Sequence, residues 1–204
     1  MATAMAITAE MVKKLRDATG AGMMECKRAL VEAKGDMEQA ITLLRKQGLA
    51  TATKKAGRST NEGIIGHYIH MGGKVGVLVE VNCETDFVAR TDDFQTLAKE
   101  LAMHIAAAAP LYVKREDIPA AVLEKEKEIY RAQFAGQNKP ANVIDKIAEG
   151  KLESYYSQVC LMDQPSVRDP NISIKQMVAA AAAKTGENVS ITRFARFKLG
   201  ELAE

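Results

Sequence analysis

The chain has 204 residues, 47% of them hydrophobic and 26% charged, with a formal net charge of +2. That length allows one or two domains with a real core, and the near-neutral balance excludes a global field that would draw in nucleic acid or an anionic membrane. The longest apolar run, Ile105 to Pro110, is far too short to span a bilayer.

In chain order, residues 8–48 read as three short helices. The first has Thr8 as cap and Val12, Leu15 and Ala18 on one face, stopping at Gly20. The second starts near Met23, turns Cys26, Ala29, Leu30 and Ala33 inward and ends at Gly35. Adjacent Met23 and Met24 cannot both face inward at helical spacing; one is either an exposed apolar contact or a loosely buried turn residue. The third opens on Asp36 with Gln39 three residues on, the form of a capping box, and Gly48 should close it. Residues 49–62 lose the apolar period and gather Lys54, Lys55 and Arg58, the composition of a linker.

A hairpin follows: Ile64 to His70 and Lys74 to Asn82 flank Met71-Gly72-Gly73. Valine at positions 75, 77, 79 and 81 gives the period of a half-buried strand. Thr91-Asp92-Asp93 reads as the cap and first turn of a helix carrying Phe94, Leu97, Ala98, Leu101, Ala102, Ile105 and Ala106 inward, stopped by Pro110. Between them lies Asn82–Arg90, a loop held at both ends, with Asp86 and Phe87 near its centre. Such a loop suits a recognition element, yet most phenylalanines are core, so Phe87 has two readings. Pro119 at a first helical position opens an amphipathic segment, Gly136 to Pro140 makes a turn, and Val143 to Val159 is helical with a weak point at Gly150. Residues 163–171 are loop. Ser173 to Gln176 caps a helix running to Gly186, and Val189 to Leu199 alternates as a third strand. The fold expected is α+β: a three-helix module at 1–48, a linker at 49–62, and a core at 63–204 with a three-stranded antiparallel sheet backed by helices and a helical excursion at about 115–160.

Catalytic constellations are scarce. No phosphate-binding loop, dinucleotide fingerprint, HExxH or GxSxG occurs. His67 and His70, three apart on a strand, point to opposite faces and cannot share a metal. Cys83, His70 and Asp86 could imitate a thiol protease, but nothing supplies an oxyanion hole. Cys26, Cys83 and Cys160 have no CxxC spacing, and an odd count argues against a disulfide framework. The N-terminus lacks the charged region and apolar stretch of a secretory signal. The reading is a cytoplasmic non-enzyme with no cofactor or metal. A rival is a nucleic-acid-binding module using the basic 49–62 stretch and the Lys and Arg of the last strand, which would require a clustered basic face.

Two long motifs carry a resemblance. Leu15 to Leu30, with Arg16, Thr19-Gly20, Gly22-Met23-Met24 and Cys26-Lys27-Arg28, resembles the first signature of bacterial-type elongation factor Ts, and Glu80 to Arg90 resembles its second. The likeness continues through Tyr112-Val113-Lys114, Gly150-Lys151-Leu152 and Arg193 to Phe197. The resemblance implies a guanine-nucleotide exchange factor for elongation factor Tu, without bond chemistry, membrane or direct nucleic acid. It implies a ubiquitin-associated-type (UBA-like) N-terminal module docking through Arg16, Met23 and Met24. It also implies that Thr85, Asp86, Phe87 and Val88 intrude near the partner's Mg²⁺ site, with His70 beside the intruding ring. Long family members carry a second sheet subdomain, an inserted coiled coil and a C-terminal helix. This chain has one hairpin region and ends five residues after Leu199, resembling the short form in which two copies pair; that implies a homodimer and a 2:2 complex. Contacts of the second subdomain are not carried over, and the C-terminal disulfide of some short forms has no Cys here beyond Cys160.

Overall fold

The computed structural model describes residues 7–134 and 141–201; the turn expected at Gly136–Pro140 lies outside them. The chain divides into two compact units. The first takes the chain up to Ile65 with Glu80–Ala98 and Gln176–Ile191, and the second takes Gly66–Val79, Lys99–Lys175 and the chain from Thr192.

In the first unit, helices α1 (Ala9–Thr19), α2 (Met23–Glu32) and α3 (Met37–Lys55) form a three-helix bundle. Thr8 Oγ1 accepts from Met11 N–H at 3.2 Å, and Asp36 Oδ1 accepts from Gln39 N–H at 2.9 Å, so both expected caps form. Val12, Leu15, Cys26, Ala29, Leu30, Ala33, Ala40 and Leu44 make one buried apolar cluster. Ala18 is exposed instead, because by then the stripe has rotated past the contact. Gly48 does not end α3, which runs on to Lys55. A mid-helix glycine costs only about 1 kcal/mol against alanine, too little to stop the helix here. The beginning of the 49–62 stretch is therefore helical.

Strands β1 (Glu62–Ile69), β2 (Val75–Cys83) and β3 (Ser190–Lys198) form an antiparallel sheet in the order β1-β2-β3. Gly72 and Gly73 turn the hairpin at φ 85° and 68°, values that cost a residue with a Cβ. On β2, Val77, Val79 and Val81 are buried while Leu78 is half exposed, as the alternation requires. Between β2 and β3 come the single turn α4 (Asp86–Ala89), then α5 (Asp92–Ala108), α6 (Ala120–Gln133), α7 (Ala141–Val159) and α8 (Ile174–Thr185). Along α5, Phe94, Leu97, Ala98, Leu101, Ala102 and Ile105 are buried as their spacing predicts.

In the second unit α6 and α7 pack together as the helical excursion. Gly150 leaves α7 unbroken, and Pro119 stands just before α6 rather than inside it. Arg115 anchors their base: it donates to Glu153 at 2.9 Å and Asp163 at 2.7 Å, and its guanidinium lies 4.5 Å above the Tyr156 ring. The two carboxylates raise its already high pKa further, Asp163 foremost. Arg196 Nε donates to Ala106 O at 3.3 Å, joining β3 to α5.

Candidate functional site

The stretch after β2 is a helical turn, where a loop was expected. Thr85, in extended conformation, caps α4: its Oγ1 accepts from Val88 N–H at 3.4 Å, and Arg90 N–H returns to Asp86 O at 3.2 Å. Successive residues of a helix point about 100° apart, so one turn sorts its four side chains into two directions. Val88 and Ala89 are buried, while Asp86 and Phe87 face solvent. Phe87 is 77% exposed. It is not a core residue. Asp86 Oδ2 pairs with Arg90 at 2.7 Å on the surface, a contact worth little to stability. Behind the turn, Thr91 Oγ1 donates to Val88 O at 2.7 Å and Gln95 Nε2 to Ala89 O at 2.8 Å, fastening α4 to the start of α5.

A second fastening comes from the segment after α8. The Glu187 carboxylate accepts from Glu84 N–H and Thr85 N–H, both at 3.0 Å, and from the Thr85 hydroxyl at 2.6 Å. In return, Glu84 Oε1 accepts from Asn188 N–H at 2.6 Å and from Arg58 at 3.3 Å. Asn188 Nδ2 donates to Arg58 O at 2.9 Å. The Asn188 N–H, with Arg58 adding to it against a desolvation cost, holds the Glu84 carboxyl below its usual pKa. Burial, then the Glu187 charge, pushes the Cys83 thiol up, and its Sγ donates to Thr85 O at 3.1 Å. A thiol so placed is a packing residue and a poor nucleophile. Burial likewise pushes Cys160 up to about 11.

Sequence reasoning missed Glu187, Asn188 and the role of Arg58. The only local signal was two polar residues between the helix stop Gly186 and the last strand. A partner some hundred residues away is invisible to spacing.

On the three-helix bundle, Met23 and Met24 are both exposed, at 48% and 66%. One was expected outward; α2 starts at Met23, so both precede its first inward position, Cys26. Gly22 N–H donates to Glu25 Oε2 at 3.3 Å, tying this end of the helix. Arg16 is also exposed, one turn before the left-handed Gly20 that ends α1. At Gly20 the Lys184 side chain passes so close that a Cβ would meet its Cδ at 3.4 Å, and Lys184 Nζ pairs with Asp93 at 2.7 Å. The end of α8 thus touches both the bundle and the start of α5.

The second unit holds His70, exposed just beyond β1, with Nδ1 3.1 Å from the Tyr68 hydroxyl. It also carries an open apolar face on the sheet. Ile69 is 64%, Leu78 50%, Phe197 67% and Leu199 78% exposed, and they line one shallow groove with Gly76. A Cβ at Gly76 would lie 2.9 Å from Ile69 Cδ1, so the glycine leaves room for the isoleucine to lie across it. His104, by contrast, is buried: Val167 N–H donates to Nδ1 at 3.3 Å and Nε2 stands 2.8 Å from Gln164 Oε1, and burial lowers its pKa.

Arg58 is engaged by Glu84, and Lys198 and Arg196 both pair with Glu201. Among the described residues, no group of three or more His, Cys, Asp or Glu could hold a metal ion, and no helix is long and apolar enough to cross a membrane.

Comparison with known proteins matches this sequence to one family. A family model described as "Elongation factor TS" matches residues 2–201. Elongation factor Ts of Fervidobacterium nodosum is 60% identical over 197 residues, spanning 97% of this chain and 100% of that protein. The proteins of the same name from Carboxydothermus hydrogenoformans and Geobacter sulfurreducens are each 58% identical, covering 96% and 97% of this chain and 90% and 91% of their own lengths.

Proposed function

We propose, because the chain belongs to the elongation factor Ts family of translation elongation factors, that it binds elongation factor Tu carrying GDP and drives nucleotide exchange by inserting its 85–88 turn near the partner's Mg²⁺ site. The observation that carries this is an apolar ring presented to solvent on a turn that is fastened on both sides. A phenylalanine that is 77% exposed contributes little to its own fold. It is available to a pocket elsewhere.

Burying a phenylalanine is worth roughly 1.5–3 kcal/mol. If that energy is gained only in the partner conformation that holds Mg²⁺ and phosphate poorly, nucleotide binding weakens by up to about two orders of magnitude. Asp86 brings a carboxylate to the same place, where it competes for the groups around the ion. Arg16, Met23 and Met24 supply a docking edge on the three-helix module, and His70 is a further partner contact. Linkage then requires that nucleotide weaken the grip of this protein on its partner, so that the factor leaves and turns over. The exchange involves no bond cleavage, and it belongs in the cytoplasm with the rest of translation.

We further propose that two copies pair through the open face of the sheet. Ile69, Leu78, Phe197 and Leu199 form an apolar patch of the kind that marks an interface, and a second copy of this chain presents the same patch to it. The direct test is release of labelled GDP from elongation factor Tu with and without this protein. No acceleration would end the reading.

A further inference from the structure

We propose that Glu187 is a positioning residue for nucleotide exchange, acting through Thr85 to fix the direction in which Phe87 is presented. The inference rests on the wedge reading above and adds a residue that lies outside both sequence signatures.

A four-residue turn cannot hold itself: one or two hydrogen bonds do not offset the cost of fixing its backbone. Its direction must be imposed from outside. At its far end Thr91 and Gln95 hold the carbonyls of Val88 and Ala89. At its near end the only carboxylate on the backbone N–H groups of Glu84 and Thr85 among the described contacts is Glu187, which takes both N–H groups on one oxygen and the Thr85 hydroxyl on the other. Because that hydroxyl donates to Glu187, its lone pairs remain for Val88 N–H, the hydrogen bond that starts α4. The order is directional: Glu187 orients the cap, the cap starts the turn, and the turn aims the ring. The grip is also reciprocal, since Glu84 Oε1 takes the N–H of Asn188, the residue after Glu187. Two crossed carboxylates therefore lock segment 84–85 to segment 187–188 with charge-assisted bonds, which are stronger than neutral ones. None of these contacts involves Met23 or Met24.

A residue acting in this way should govern how fast nucleotide leaves once the complex has formed, and should leave the concentration needed to form it almost unchanged. With elongation factor Tu carrying labelled GDP, Glu187→Ala should lower the maximal stimulated release rate about tenfold, the scale of one charge-assisted hydrogen bond, at a half-saturating concentration within about twofold of wild type. Glu187→Gln, which keeps one acceptor oxygen for the two N–H groups, should recover part of the rate. In a Phe87→Ala background the Glu187→Ala change should cost nothing further, because there is no ring left to aim.

Wild-type release by Glu187→Ala, a loss confined to half-saturation, or an equal loss in the Phe87→Ala background would each overturn the assignment. If Glu187→Ala fails to fold, the same comparison is read from Glu187→Gln and Thr85→Val, and wild-type rates in both overturn it. If the wild-type protein itself gives no stimulation, or Phe87→Ala leaves it intact, the failure lies with the wedge reading. If Phe87→Ala is slow and Glu187→Ala is not, it lies with Glu187 alone.

Discussion

Replacing Phe87 with alanine separates what the ring does for this protein from what it does for a partner. In the folded chain the ring is 77% exposed, so its loss belongs with ordinary surface substitutions, within about 0.5 kcal/mol of neutral. The backbone of its turn is held by Thr85, Thr91 and Gln95, none of which the substitution touches. On the partner the accounting differs. Taking 77% of the roughly 1.5–3 kcal/mol that full burial of a phenylalanine contributes leaves about 1.2–2.3 kcal/mol to be gained on insertion. If all of it is spent weakening nucleotide binding, Phe87→Ala should slow stimulated GDP release about 8- to 50-fold. The assay is the fluorescence decay of labelled GDP on elongation factor Tu at saturating factor, beside a thermal melt. Unchanged release with an unchanged melt would refute the wedge. A melting temperature lowered by many degrees would show that the ring supports the fold, against its exposure.

Three further outcomes are expected. Met23→Glu with Met24→Glu should weaken complex formation at least about tenfold, since each side chain is worth roughly 1.5–3 kcal/mol when buried, while leaving the melt intact; titration calorimetry against nucleotide-free elongation factor Tu checks this, and wild-type affinity would count against a docking edge. Leu78→Lys with Phe197→Glu should yield monomers in sedimentation velocity where the wild type is a dimer, and identical sedimentation would remove the sheet face from the interface. His104 is held neutral, since Nδ1 accepts from Val167 N–H and Nε2 donates to Gln164, and its folded pKa lies below the unfolded 6.5. The unfolded chain therefore gains a proton that the native one refuses as pH drops below 6.5. Stability from this site is complete above that value and falls by up to about 1.4 kcal/mol per pH unit below it. Melting temperature against pH should be flatter in His104→Gln than in wild type, and parallel profiles would sink the assignment.

What the sequence determined by itself was whatever depends on period and on local hydrogen bonding. The valines of β2, the stripe of α5 and the caps at Thr8 and Asp36 are set by neighbours a few residues away, and all of them form as read. The two signatures singled out Phe87 and the Met23–Met24 pair for attention. Local rules failed where two costs nearly balance. Gly48 was expected to end α3, yet the helix runs through it to Lys55, because a glycine inside a helix costs only about 1 kcal/mol. For Phe87, periodicity has no say within a single turn. Only tertiary structure decided its direction, because burying Val88 and Ala89 leaves the ring no way but out. Only tertiary structure brought Glu187 to Thr85 and Asn188 to Glu84. A carboxylate reads the same in sequence whether water or a backbone amide faces it, and the fold alone decides which it meets.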